Sequence, residues 1–164
     1  MAALPAGVRA PDFSLESLGG MKKSLKDVAG GKPVLFFFFK VECPICQLAT
    51  PFVERLHKAY GGGRWSVVGI SQDDRAETGE YRRRHGMTFE TLLDGRGYPA
   101  SNAYGIDTVP SLFAVGPGGR IEKSFIGWQK KEMLELGRLA AAAAGVREVS
   151  LLRPGEDVPD TRAG

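Results

Sequence analysis

Cys43 and Cys46 are the only two cysteines in the chain, and Pro44 and Ile45 separate them. Thiols at this spacing can cycle between dithiol and disulfide, ligate a metal, or sit inert as small hydrophobes. On a helix, positions i and i+3 share a face with Cα atoms about 5 Å apart, which suits a disulfide made with little backbone movement. Cys43 falls at the edge of a helix start and Pro44 just inside it, where a missing N–H costs nothing. Unpaired N–H groups and the helix dipole stabilise a thiolate there. Cysteines so placed have pKa values of about 3.5 to 7.5, against ~8.5 for a free thiol. Cys46, one turn on, points toward the core and keeps its proton longer. The pair reads as an attacking thiol and a resolving thiol. Lys40 favours the Cys43 thiolate and Glu42 opposes it; an exposed charge at such range contributes at most ~1 kcal/mol, so the helix terminus decides.

A metal is not expected. A structural zinc takes about four N or S ligands. His57 and His85 are the only histidines, and His57 lies too far along the same helix from Cys46 to share an ion. The expected redox group is the Cys43–Cys46 disulfide itself, with no separate cofactor.

The elements that position the pair follow from patterning. Val34 to Phe39 is an unbroken apolar run, too short for a core helix, and reads as a strand buried on both faces. Pro33 opens it. From Pro44 the pattern turns helical, with Ile45, Leu48, Phe52, Leu56 and Ala59 expected inward and Pro51 as a kink. Gly61-Gly62-Gly63 stops that helix. Before the strand, Phe13, Leu15 and Met21 flank Gly19-Gly20 as a hairpin. Ser24-Leu-Lys-Asp27 is a capping-box start to a helical turn ended by Gly30-Gly31. Beyond Cys46, Trp65–Ile70 and Thr88–Leu93 read as strands, Ala76–His85 as a charged helix, and Tyr98–Tyr104 as a turn or two of helix. Ser111–Val115 and Ile121–Ile126 alternate around Gly116-Pro-Gly-Gly119, a hairpin signal. Lys130–Ala144 is a final helix with Met133, Leu134, Leu136 and Leu139 expected inward. The tail 146–164 carries one apolar cluster, Val149–Leu152, and is expected to be partly packed or loose. The order gives a single α/β domain over residues 1–145, a central mixed sheet with helices on both faces, plus the tail.

Composition narrows the function class. With 43% hydrophobic and 25% charged residues the chain is ordinary for a globular protein. A net charge of +3 is too weak to argue for nucleic acid, and the Arg82–Arg84 run reads as a solvated helix face. No apolar stretch approaches the ~18 residues of a membrane span, and no leader is visible. A cytoplasmic monomer is the expectation, with an exported protein stripped of its leader as the alternative; in the cytoplasm close cysteines are redox-active or metal-binding and not structural staples.

Several stretches in this order resemble the thioredoxin superfamily, in particular its TlpA-like and redoxin (AhpC/TSA) branch. They are the hairpin Ala10-Pro-Asp-Phe-Ser-Leu15, the approach Ser24–Leu35, and Cys43-Pro-Ile-Cys46 with Pro51 after it. Tyr104-Gly-Ile-Asp-Thr-Val-Pro-Ser-Leu-Phe113, Gly118-Gly-Arg-Ile121 and Gly127-Trp128 complete the set. The resemblance implies a thioredoxin-like fold with an N-terminal hairpin extension and an inserted helix. It implies that Pro110 is a cis-proline against the two sulfurs, and that the Val109 backbone offers a strand edge to substrate chain beside Pro44 and Ile45. Trp128 is expected either as an apolar rim for substrate or as a cover for the last helix. The sequence departs from the family in carrying Glu42 where Trp is frequent, and Phe37 where thioredoxins bury a carboxylate behind the second cysteine. Cys46 then needs another proton acceptor. Asp73, in the loop after a strand, is the candidate; otherwise Asp73-Asp74 is a helix cap.

The function these residues imply is thiol–disulfide exchange with protein or small-molecule disulfides, served by a reductant or oxidant partner. A peroxidase of the peroxiredoxin kind is disfavoured, because the positions of its Thr, Pro and Arg hold Lys40, Phe36 and Pro110. A non-catalytic thioredoxin-like binding module is the remaining alternative.

Overall fold

The computed structural model describes residues 2–164. Seven strands form the main sheet: β1 (Ser14–Ser17), β2 (Lys22–Ser24), β3 (Val34–Phe39), β4 (Ser66–Ser71), β5 (Glu90–Leu93), β6 (Ser111–Val115) and β7 (Ile121–Ile126). Their spatial order is β2-β1-β5-β4-β3-β6-β7. β3, β4 and β5 run parallel, while β6 is antiparallel to β3 and continues into the β6–β7 hairpin. The N-terminal hairpin β1–β2 joins the sheet through β5.

β3 explains why its sequence is unbroken. Side chains alternate across a sheet, so Leu35, Phe37 and Phe39 enter one core while Val34, Phe36 and Phe38 enter the other. Helices α2 (Pro44–Tyr60), α3 (Arg75–His85) and α5 (Lys130–Ala144) contribute to the first core. Helices α1 (Leu25–Ala29) and α4 (Pro99–Ala103) and the N-terminal segment contribute to the second. Phe37 stacks on Phe39 at 5.3 Å between ring centroids, while Phe38 meets Phe113 edge-on at 5.6 Å. Beside β3 the neighbour must be small: a Cβ on Gly69 of β4 would lie 2.9 Å from the Phe89 ring. The capping box of α1 is complete, with Ser24 and Asp27 exchanging side-chain and backbone bonds.

Two helix faces differ from the sequence expectation. In α2 the buried positions are Cys46, Ala49, Thr50, Phe52, Val53, Glu54, Leu56 and Tyr60, while Ile45 and Leu48 are half-buried and Ala59 is exposed. The face is turned by about one residue, roughly 100°, because small Ala49 and Thr50 lie against the core. In α5, Met133, Leu136, Ala140 and Ala141 are buried, but Leu134 is 38% exposed because it falls off that stripe.

The tail divides between the two alternatives: its first part is packed and residues 161–164 are exposed. Leu151 is buried in the α2–α5 core, and the Val149 N–H donates to Tyr60 Oη at 2.9 Å. Arg55 lies over the Phe52 ring at 4.4 Å, donates to the Leu151 carbonyl, and forms a two-pronged pair with Glu156 at 2.7 and 2.8 Å. Beyond it, β9 (Thr161–Arg162) pairs antiparallel with β8 (Trp128–Gln129). Replacing Leu151 by Ala is expected to lower unfolding free energy by about 2–3 kcal/mol, the lower part of the range for buried leucines. A denaturant titration showing under about 0.5 kcal/mol, the size of an ordinary surface substitution, would show that the tail adds nothing to the core.

Candidate active site

Cys43 caps α2. Its Sγ accepts the Cys46 N–H at 3.0 Å, the bond that an N-cap oxygen ordinarily makes. Pro44 occupies the first turn as expected. Both cysteines are free thiols; Cys43 is half-buried and Cys46 buried. A hydrogen bond from the Cys46 side chain, then the N–H groups of Cys46 and Ile45 and the Lys40 charge, outweigh desolvation and lower the Cys43 pKa to about 6. Cys46 is pushed the opposite way, chiefly by burial and next by its bond with Cys43, and the charge of Asp73 adds to the rise. The two thiols are thus strongly unequal.

The loop that carries Cys43 is pinned on both sides. The Val41 N–H donates to Asp73 Oδ2 at 2.8 Å, and the Val41 carbonyl accepts from Gln47 Nε2 at 3.0 Å. Asp73 is half-buried, with one oxygen engaged by the loop that carries Cys43. The cap of α3 is Asp74, which accepts the Glu77 N–H at 2.8 Å. Behind Cys46, Phe37 and Phe39 are fully buried in the same core. The place of a buried carboxylate is hydrocarbon.

Opposite the cysteines, the Val109–Pro110 bond is cis. Cys43 Sγ donates to the Val109 carbonyl at 3.5 Å; the thiolate form keeps only the bonds it accepts. Val109 is half-buried, Pro44 exposed and Ile45 half-buried, so these three reach the surface around Cys43. Pro110 itself is buried and its carbonyl accepts the Gly127 N–H at 2.8 Å; it lies beneath the loop, while Val109 reaches the surface. Trp128 is not a rim. It is 1% exposed, packs on Phe52 at 4.9 Å and donates Nε1–H to the Pro159 carbonyl at 2.6 Å. The indole N–H needed a buried partner, and the tail supplies it.

Two residues were missed by sequence reading. Thr50 Oγ1 donates to the Cys46 carbonyl at 2.8 Å and lies 2.7 Å from Tyr81 Oη. A hydroxyl has one hydrogen, so Tyr81 is the donor in that pair. Burial raises the Tyr81 pKa above its ordinary value, and the Cys46 and Cys43 charges add to it, which keeps the phenol neutral beside the thiols. The available signal was Tyr81 as the one aromatic residue in the charged stretch Arg75–His85.

The AhpC/TSA family profile matches residues 6–124. Thioredoxin-like protein YneN of Bacillus subtilis is 31% identical over 133 residues, covering 79% of this chain and 76% of that protein. Thiol-disulfide oxidoreductase ResA of Geobacillus thermodenitrificans is 28% identical over 131 residues, covering 79% and 74%. Among solved structures, a thiol-disulfide oxidoreductase from Bacteroides fragilis superposes with a TM-score of 0.71 at 25% identity, covering 80% of this chain and 98% of that one.

Alkylation by iodoacetamide is expected to modify Cys43 alone below pH 8, with a rate that rises through a midpoint near pH 6 and then levels. Equal rates at the two thiols, or a midpoint near the free-thiol value of ~8.5, would remove the asymmetry. The sign extends to stability. A pKa lowered by folding adds stability to the reduced protein above the unfolded thiol value, and this is lost as pH falls through about 6.

Proposed function

The chain belongs to the AhpC/TSA family within the thioredoxin superfamily and is a thiol–disulfide oxidoreductase, and from that premise we propose that Cys43 is its nucleophile and Cys46 its resolving thiol. The observation that carries the assignment is the Cys43 sulfur accepting the Cys46 N–H at the start of α2. The Cys43 thiolate attacks one sulfur of a substrate disulfide, forming a mixed disulfide and expelling the other sulfur as a thiolate that takes up a proton. Cys46 then loses its proton and attacks Cys43 Sγ, releasing the second substrate thiol. The substrate has gained two electrons and the protein holds a Cys43–Cys46 disulfide, which a dithiol partner reduces again. The same steps in reverse oxidise a client dithiol.

The difficult step is deprotonation of Cys46, which burial opposes. We assign the proton to Asp73, whose charge already acts on Cys46 and whose second oxygen is not the one engaged by Val41. Substrate chain lies along Val109, over Pro44 and Ile45, with Pro110 beneath. The reacting group is the cysteine pair, and protein or small-molecule disulfides are its substrates.

Cys46→Ser is expected to accumulate mixed disulfides with client proteins through Cys43, visible as reductant-sensitive adducts; their absence would defeat the division of roles. Asp73→Asn keeps an oxygen for the Val41 N–H while removing the base. It should slow resolution of a Cys43 mixed disulfide at least tenfold, below the ~10²–10⁴ typical of general bases, with Cys43 alkylation unchanged. An unaltered resolution rate would reduce Asp73 to a loop anchor. The equilibrium potential of the pair against glutathione sets the direction of flow, and failure to form an intramolecular disulfide would refute the function.

A further inference from the structure

The tail reaches the substrate edge. After Glu156 it passes the Trp128 indole, accepts the Lys130 N–H at the Asp160 carbonyl at 2.8 Å, and pairs Arg162 with Trp128. It then crosses Gly127 (φ 75°), where a Cβ would fall 2.6 Å from the Arg162 carbonyl oxygen and 3.3 Å from Gly164 N. It arrives at Val109. A Cβ on Gly164 would lie 2.2 Å from the Val109 carbonyl oxygen and 3.0 Å from Thr108 Cγ2. The backbone of Gly164 therefore rests on the same carbonyl that Cys43 faces at 3.5 Å.

We propose that residues 161–164 are an intramolecular strap over the docking edge, which an extended client peptide must displace before it can pair with Val109. This rests on the oxidoreductase reading and its use of the Val109 edge. Two backbones cannot occupy one strand edge, because each needs the same N–H and C=O groups. The strap resembles a client chemically, being extended backbone with glycine at the closest approach. Its root and its end are held very differently. Leu151 is buried and Arg55 grips Glu156, whereas residues 161–164 are all exposed and β9 is two residues long. The Arg162 guanidinium bonds only to the Thr161 carbonyl beside it among the bonds described. The end can lift while the root stays. A small disulfide needs only the Cys43 sulfur and is indifferent to the strap.

Two full-length variants test this by single-turnover oxidation of the reduced protein. Gly164→Leu cannot keep its approach to Val109, and Arg162→Pro cannot donate to the β8–β9 ladder; Arg162→Ala keeps the backbone as control. The oxidants are a disulfide-bridged pair of octapeptides and cystamine. Both variants should react with the bridged peptides about tenfold faster than wild type, the factor by which a strap held by one or two net hydrogen bonds reduces the competent fraction. Cystamine rates and the control should be unchanged. Unchanged peptide rates, or parallel changes with both oxidants, would overturn the strap. A second readout does not depend on turnover: Cys46→Ser protein is charged at Cys43 with a thiopyridyl-activated cysteine octapeptide or with cysteamine. Amide exchange at Arg162 and Lys130 should accelerate in the peptide adduct only; equal protection in both adducts would overturn the proposal. If the oxidoreductase reading were what failed, wild type would react with both oxidants no faster than a free thiol, while the exchange comparison would still decide the strap.

Discussion

The bond from the Cys46 N–H to the Cys43 sulfur organises this molecule. It closes the first turn of α2 with sulfur where other helices use oxygen. The same contact holds negative charge on Cys43 at the positive end of the helix. Helix start and proposed nucleophile are therefore one structure, and whatever fixes the start of α2 also places the Cys43 sulfur. β3 does so from below, paired along its length with β4 on one side and β6 on the other. Asp73 and Gln47 do so from the sides by taking both backbone groups of Val41.

The inequality of the thiols follows from where the sheet ends. Cys43 stands past the end of β3 among N–H groups, while Cys46 turns back into the core with Phe37, Phe39 and Tyr81. Desolvation penalises the ionised form of a buried thiol, and the neighbouring Cys43 adds to it. One short turn of helix thus separates a thiol whose pKa is lowered from one whose pKa is raised. Thr50 and Tyr81 hold the backbone of that turn through the Cys46 carbonyl.

What could be read from the sequence was what neighbouring residues decide together. The two-sided strand, the capping box of α1, the helix beginning at Pro44 and the β6–β7 hairpin each carry their signal within a few residues. The fold class and the position of the cysteine pair came with them. The residues that escaped reading depend on partners far away. Arg55 and Glu156 are separated by 101 positions, and neither carries a mark of the other. Trp128 has the composition of a rim and becomes a core residue only because Pro159 reaches its indole N–H. The turn in the buried face of α2 has the same origin, since bulky Ile45 and Leu48 look more inward than Ala49 and Thr50 until the packing is seen.

The phenylalanine run of β3 has one more effect. Phe37 and Phe39 stack within the core that also contains Cys46, and a phenyl ring neither gives nor takes a proton. The rings offer hydrogen ions no foothold on the sheet side of Cys46, which is why the proposed acceptor, Asp73, is sought on the loop side beside Val41. In the proposed exchange the sheet is then an insulator under a surface circuit: electrons cross between the sulfurs at the top of α2, and the accompanying protons share that doorway.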